Sequence, residues 1–132
     1  MEEQEIYEPS NSELEILQIL WAHAPATVRF VHEQINLKRE TEIGYTTVLK
    51  QMQRLADKGV VKRKLKGKTH YYSAIPKQSE IQQNLFQRFL SNVYEGSAMK
   101  LVMHALGQGN TSPEELKKLE QWIEEQKDQQ HE

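Results

Sequence analysis

Apolar residues recur along this chain at spacings of three and four, with one interruption where the helical period is lost. Leu14, Leu17 and Trp21 stand at i, i+3 and i+7, and Ile16, Ile19 and Leu20 widen the stripe, which predicts a helix ending near His23, before Pro25. Ser12-Glu13-Leu14-Glu15 fits an S-x-x-E capping box, where serine and glutamate satisfy the first free amides of a helix. Thr27 suits the cap of a second helix with Val28, Val31 and Ile35 inward, and residues 36–43 read as a loop. A third helix starts at Gly44 or Tyr45, turns Val48, Met52, Leu55 and Ala56 inward with Leu49 assisting, and meets Gly59 where a left-handed C-cap belongs. Next, VVKRKL and THYYSAI flank KGK, two β-prone runs around a glycine turn that predict a hairpin, and Pro76 stops it.

The remainder is helical again. Ile81, Leu85, Phe86, Phe89, Leu90, Val93 and Tyr94 give a broad apolar band over one long helix. Ser97 to Leu106 forms a short helix with Leu101, Val102, Ala105 and Leu106, and GQGN breaks it. Ser112-Pro113-Glu114-Glu115 is another capping box, with proline at the favoured first helical position. Leu116, Leu119 and Ile123, with Trp122 beside them, make the last stripe before a polar tail.

The predicted fold is mainly α with a small β-hairpin. A flexible acidic arm (1–9) precedes a winged helix-turn-helix domain (10–76) and an α-helical dimerisation domain (77–132). Three short helices bury too little surface to stand well alone. The band on the long helix is too wide for one neighbour, and such surface usually marks a protein interface, most simply a symmetric homodimer. The predicted dimerisation residues are Ile81, Leu85, Phe86, Phe89, Leu90, Val93, Leu101, Val102, Leu116, Leu119, Trp122 and Ile123. The alternative is that the tail folds back on the first module of its own chain.

Charge changes the picture because it is segregated. The net charge of −2 conceals six acids and no Lys or Arg in residues 1–15, and eight bases against Asp57 alone between Tyr45 and Tyr72. From Pro113 onward seven acids face Lys117, Lys118 and Lys127. A basic segment of this kind is the electrostatic footprint of a polyanion. With Val48, Met52 and Leu55 inward, Thr47, Lys50, Gln51 and Arg54 fall at i, i+3, i+4 and i+7 on the other side of the third helix, and Tyr45 and Thr46 join them at its N-terminal end. In winged helices this helix enters the major groove and the hairpin lies along the neighbouring backbone. Arg can bridge O6 and N7 of guanine, Gln can bridge N6 and N7 of adenine, and a threonine methyl can touch a thymine methyl. Lys62, Lys64, Lys66, Lys68 and His70 on the wing are candidates for phosphate contacts, which add affinity and little sequence choice. The helix 45–58 and the wing 60–74 thus predict double-stranded DNA as a partner. A rival from another class is a winged-helix module that binds protein and not DNA.

Ser12 to Pro76 resembles the DNA-binding domain of the BlaI/MecI (penicillinase-repressor) family. The resemblance is carried by SELEILQILW, GYTTVLKQMQRLADKGVVKR and GKTHYYSA, and NLFQRFLSNVYEGSAMKLV is similar, less specifically, to that family's dimerisation domain. It implies a homodimeric repressor that binds palindromic operators and is released by a signal. The penicillinase repressors are inactivated by cleavage of an Asn-Phe bond, but the matching region here, LVMHALGQ, has His104-Ala105. Copper-responsive relatives carry cysteine pairs, and this chain has no cysteine. Neither release mechanism transfers, which leaves another protease site or a small-molecule ligand open.

Other chemistry finds little support. His23, His32, His70, His104 and His131 show no compact metal-ligand spacing. Nucleophile-elbow, P-loop and dinucleotide patterns are absent from the sequence, so no enzyme, cofactor or metal is expected. No run approaches the roughly 18 to 20 apolar residues of a membrane span. The acidic start lacks the features of a secretory signal, so a cytoplasmic location is expected.

Overall fold

Two S-x-x-E runs overlap where the first helix begins, and the earlier one forms the cap. In the computed structural model, which describes residues 7–130, helix α1 (Asn11–His23) is capped by Ser10. Ser10 Oγ accepts from the Glu13 amide at 3.2 Å, and Glu13 Oε1 accepts from the Ser10 amide at 3.0 Å. The expected box, Ser12 with Glu15, loses for a visible reason. Lys58 Nζ supports the other Glu13 oxygen at 3.1 Å, while Glu15 is drawn away to Arg39 at 3.0 Å. Residues 1–6 of the expected acidic arm lie outside the described residues, and Tyr7, also placed in that arm, packs against the core instead.

Helix α1 buries Ile16, Leu17 and Leu20, so its stripe is centred there and not on Leu14 and Trp21. Trp21 stays half-buried because its indole N–H must reach an acceptor, which is Pro76 O at 3.0 Å. Helix α2 (Val28–Leu37) is capped by Thr27, whose Oγ1 accepts from the Phe30 amide, and it runs two residues into the expected loop. Helix α3 (Tyr45–Asp57) starts from Gly44 and buries Val48, Met52 and Leu55. It ends in a Schellman motif: Val60 N–H donates to Leu55 O, Gly59 N–H donates to Ala56 O, and Gly59 holds φ +76°.

Strands β1 (Val61–Lys66) and β2 (Thr69–Ala74) pair antiparallel around a Gly67-Lys68 turn, with Gly67 at φ +64°. Glycine at the first central position is what a type II′ turn requires. Ala26 exchanges both backbone hydrogen bonds with Tyr72, which stitches the segment before α2 onto the hairpin. Tyr72, Val60 and Val61 then close the same core as the three helices.

The chain divides into two compact units between Phe86 and Gln87, inside helix α4 (Gln78–Tyr94). The composition placed its boundary earlier, at Pro76. In the second unit, α4 ends at Glu95 (φ +54°) and Gly96 (φ +81°), and α5 (Ala98–Gly107) is capped by Ser97. Helix α6 (Pro113–Gln130) is capped by Ser112, whose Oγ accepts from the Glu115 amide. It continues into the expected polar tail as far as Gln130, where Glu, Gln and Lys residues are good helix formers. Among the described residues, no helix is long and apolar enough to cross a membrane.

Candidate nucleic-acid interface

Helix α3 is amphipathic in a way that fixes what it can present. Because Val48, Met52 and Leu55 are buried, the side chains half a turn away must face outward. Thr46, Thr47, Lys50 and Arg54 are all exposed. The two other predicted reading residues flank this ridge. Gln51 is half-buried and turns towards the start of α1, in a groove with Ser10, Ser12, Glu13 and Lys58 that Arg54 also lines. Tyr45 turns the opposite way, its ring edge-on to His32 at a centroid distance of 5.7 Å. The N-cap residue Gly44 has no side-chain acceptor and the first turn of α3 carries no acid.

Strand alternation divides the predicted wing cations between two faces. Val61 and Tyr72 are buried, so their side of the hairpin also carries Arg63, Leu65, His70 and Ala74. Lys62, Lys64 and Lys66 lie on the opposite side with Thr69, Tyr71 and Ser73, where Lys66 Nζ sits 5.7 Å above the Tyr71 ring. Only Lys68 and His70 of the predicted wing set line the groove between the hairpin, α2 and α3. That groove also holds Arg29, Gln53 and Arg63, which the sequence reading left out. The signal for Arg63 was present in the alternation itself, once Tyr72 is known to point inward. Arg29 had no such signal, since its place beside the groove depends on how α2 packs against the hairpin.

The predicted dimerisation residues also separate. Ile81 and Leu90 are buried in the single chain. Phe86, Phe89, Val93, Val102, Leu116, Trp122 and Ile123 are exposed, while Leu85, Leu101 and Leu119 are half-buried. Met99 and Met103, absent from the predicted set, are 69% and 61% exposed and extend the apolar surface along α5.

Three helices and a wing, with the third helix turning a cationic face outward, define a winged-helix module of the transcription-regulator class. The chain belongs to the penicillinase repressor family, whose profile matches residues 9–125. It is 27% identical over 113 residues to the methicillin resistance regulatory protein MecI of Mammaliicoccus sciuri, covering 86% of this chain and 90% of that one. It is 25% identical to the penicillinase repressor of Bacillus licheniformis, covering 93% and 94%, and 31% identical to the transcriptional regulator BlaI of Mycobacterium tuberculosis (strain H37Rv), covering 67% and 64%. A chain in the complex structure of hsRosR-S4 shares the fold with a TM-score of 0.54 at 14% identity, covering 77% of this chain and 89% of that one. The family consists of DNA-binding regulators and not enzymes.

Proposed function

We propose that the protein is a homodimeric transcriptional repressor that reads a palindromic operator through α3, braced by the wing, and leaves it when a signal arrives. The observation that carries this reading is the exposed row Thr47, Lys50 and Arg54, displayed opposite a buried stripe on one helix. These residue types suit base edges in the major groove, and the first amides of α3 suit a backbone phosphate. Arg63 and Lys68 at the groove beside α3, with Arg29, add positive charge where a neighbouring backbone would run, and His70 lines the same groove. Pairing of two copies is supported by the apolar side chains left exposed in the second unit, among them Phe89, Val93, Met99 and Trp122.

The test is duplex binding by the purified protein over a salt series, with duplexes selected from a randomised pool and with scrambled controls. DNA reading requires selection of a symmetric half-site pair spaced by about one helical turn or a multiple, roughly 10 bp each. It also requires affinity that falls steeply between roughly 50 and 200 mM salt, through counterion release. No preference for any duplex at low ionic strength would leave the protein-binding module as the better reading.

A further inference from the structure

The second half of the turn between α2 and α3 is held by side chains of α2 and not by backbone hydrogen bonds. Among the described residues, no backbone–backbone hydrogen bond involves residues 40–43. Their anchor is Ile43, one residue before the Gly44 cap of α3. The Ile43 amide donates to Asn36 Oδ1 at 2.9 Å, and Asn36 Nδ2 donates back to Ile43 O at 3.1 Å, so one amide side chain satisfies both backbone groups. This pair of bonds also fixes which end of the Asn36 amide is oxygen. His32, one turn earlier on α2, places Nε2 2.9 Å from the same Ile43 carbonyl. In the Nε2–H tautomer this is a hydrogen bond donated to the carbonyl, and Asn36 Nδ2, itself a donor 3.0 Å from Nε2, is then a neighbour and not a partner. The His32 ring then meets the edge of Tyr45, in the first turn of α3.

We propose that His32 and Asn36 are positioning residues for sequence discrimination. They fix where α3 begins and at what angle it leaves the turn, and so where Thr46, Thr47 and Lys50 stand against base edges. The inference rests on the reading function proposed for α3. Neither residue needs to touch DNA for it to hold. The i, i+4 spacing puts both donors on one face of α2, and both converge on one carbonyl because α2 and α3 pack together below the turn. A base reader gains selectivity only when its support holds it to within about half an ångström, which residues 40–43, without backbone hydrogen bonds of their own, would not do unaided.

The test compares Asn36→Ala, His32→Phe and His32→Gln with the parent. His32→Phe keeps a ring against Tyr45 and loses the donor, whereas His32→Gln keeps an N–H donor and loses the ring. Three measurements are taken: amide hydrogen exchange at Ile43 to Thr47, the affinity ratio between a duplex selected by the parent and its scrambled control, and the salt slope. Asn36→Ala and His32→Phe should speed Ile43 exchange and lower the ratio roughly tenfold, the scale of one lost hydrogen bond. The salt slope should not move, since no exposed cation leaves the surface. His32→Gln should keep most of the ratio.

Should Asn36→Ala not fold, Asn36→Asp retains the acceptor for the Ile43 amide and puts a carboxylate oxygen where the donor faced Ile43 O; its added charge acts on both duplexes alike, and a lowered ratio is still required of it. An unchanged ratio in Asn36→Ala and His32→Phe, with the parent discriminating, overturns the positioning role and leaves DNA reading intact. A parent without preference among duplexes overturns both.

Discussion

Arg63 lies directly across the hairpin from Tyr72, whose buried ring commits both side chains to the face that looks towards α3. Lys64, its neighbour in sequence, is committed to the other face opposite Tyr71. Two adjacent cations therefore make different predictions. Arg63→Ala should weaken binding similarly on selected and scrambled duplexes and lower the salt slope by about one. Lys64→Ala should change both less. Equilibrium titrations at several salt concentrations decide the matter, and a larger loss for Lys64→Ala would show that the outer face of the wing meets the duplex.

Arg54 is exposed near the C-terminal end of the α3 ridge, a full turn beyond Lys50. Arg54→Ala should lower affinity for the selected duplex by about 1 to 3 kcal/mol while sparing scrambled duplexes, because a bidentate base contact carries sequence information. Thermal unfolding should stay near that of the parent, since no buried group is removed. Undiminished discrimination would remove Arg54 from the base readers.

The first unit was legible in the sequence because its signals agree with one another. Val48, Met52 and Leu55 mark one side of α3, Gly59 ends it, and KGK turns the hairpin, each by local stereochemistry. Two kinds of feature escaped. Choices between equivalent local signals, such as Ser10 against Ser12 as the cap, were settled by Lys58 from 45 residues away. The wing set was chosen by residue type, and the strand period then sent Lys62, Lys64 and Lys66 away from the groove that Arg63 enters. The Asn36 clamp was hidden for a similar reason: Asn36 fell in a segment taken for loop, although it is helical and bonded seven residues ahead.

Glu13 links that cap to the C-terminal end of α3. Burial raises its pKa, but bonds from the Ser10 amide, Lys58 Nζ and the Ser10 hydroxyl outweigh this, and the folded-state value lies below the ordinary carboxylate range. A depressed carboxylate stabilises the fold above its unfolded-state pKa, and that stabilisation is lost as pH falls through the folded-state value. Glu13→Gln keeps the capping geometry and removes the charge. It should cost about 0.2 to 1 kcal/mol near neutral pH, the range for an exposed pair. The difference from the parent should vanish in acid, below the depressed pKa. Chemical denaturation across pH measures it, and a gap that widens in acid would refute the assignment.

The last prediction concerns the second unit. Phe89 is 47% exposed but also meets the Tyr94 ring edge-on, so Phe89→Glu disturbs packing within the unit as well as any interface. Val93 is 56% exposed and brings no ring to an aromatic pair, which makes Val93→Glu the cleaner probe. A carboxylate at the centre of an apolar interface between copies would be buried without a partner, at a cost large enough to separate the subunits at micromolar concentration. Sedimentation should then report monomers, and duplex affinity should fall steeply because two half-sites are no longer held together. Helical content should be retained, since Val93 is not part of the buried set. Dimers that persist in both variants would place the interface on another surface, with Met99 and Met103 of α5 the next side chains to charge.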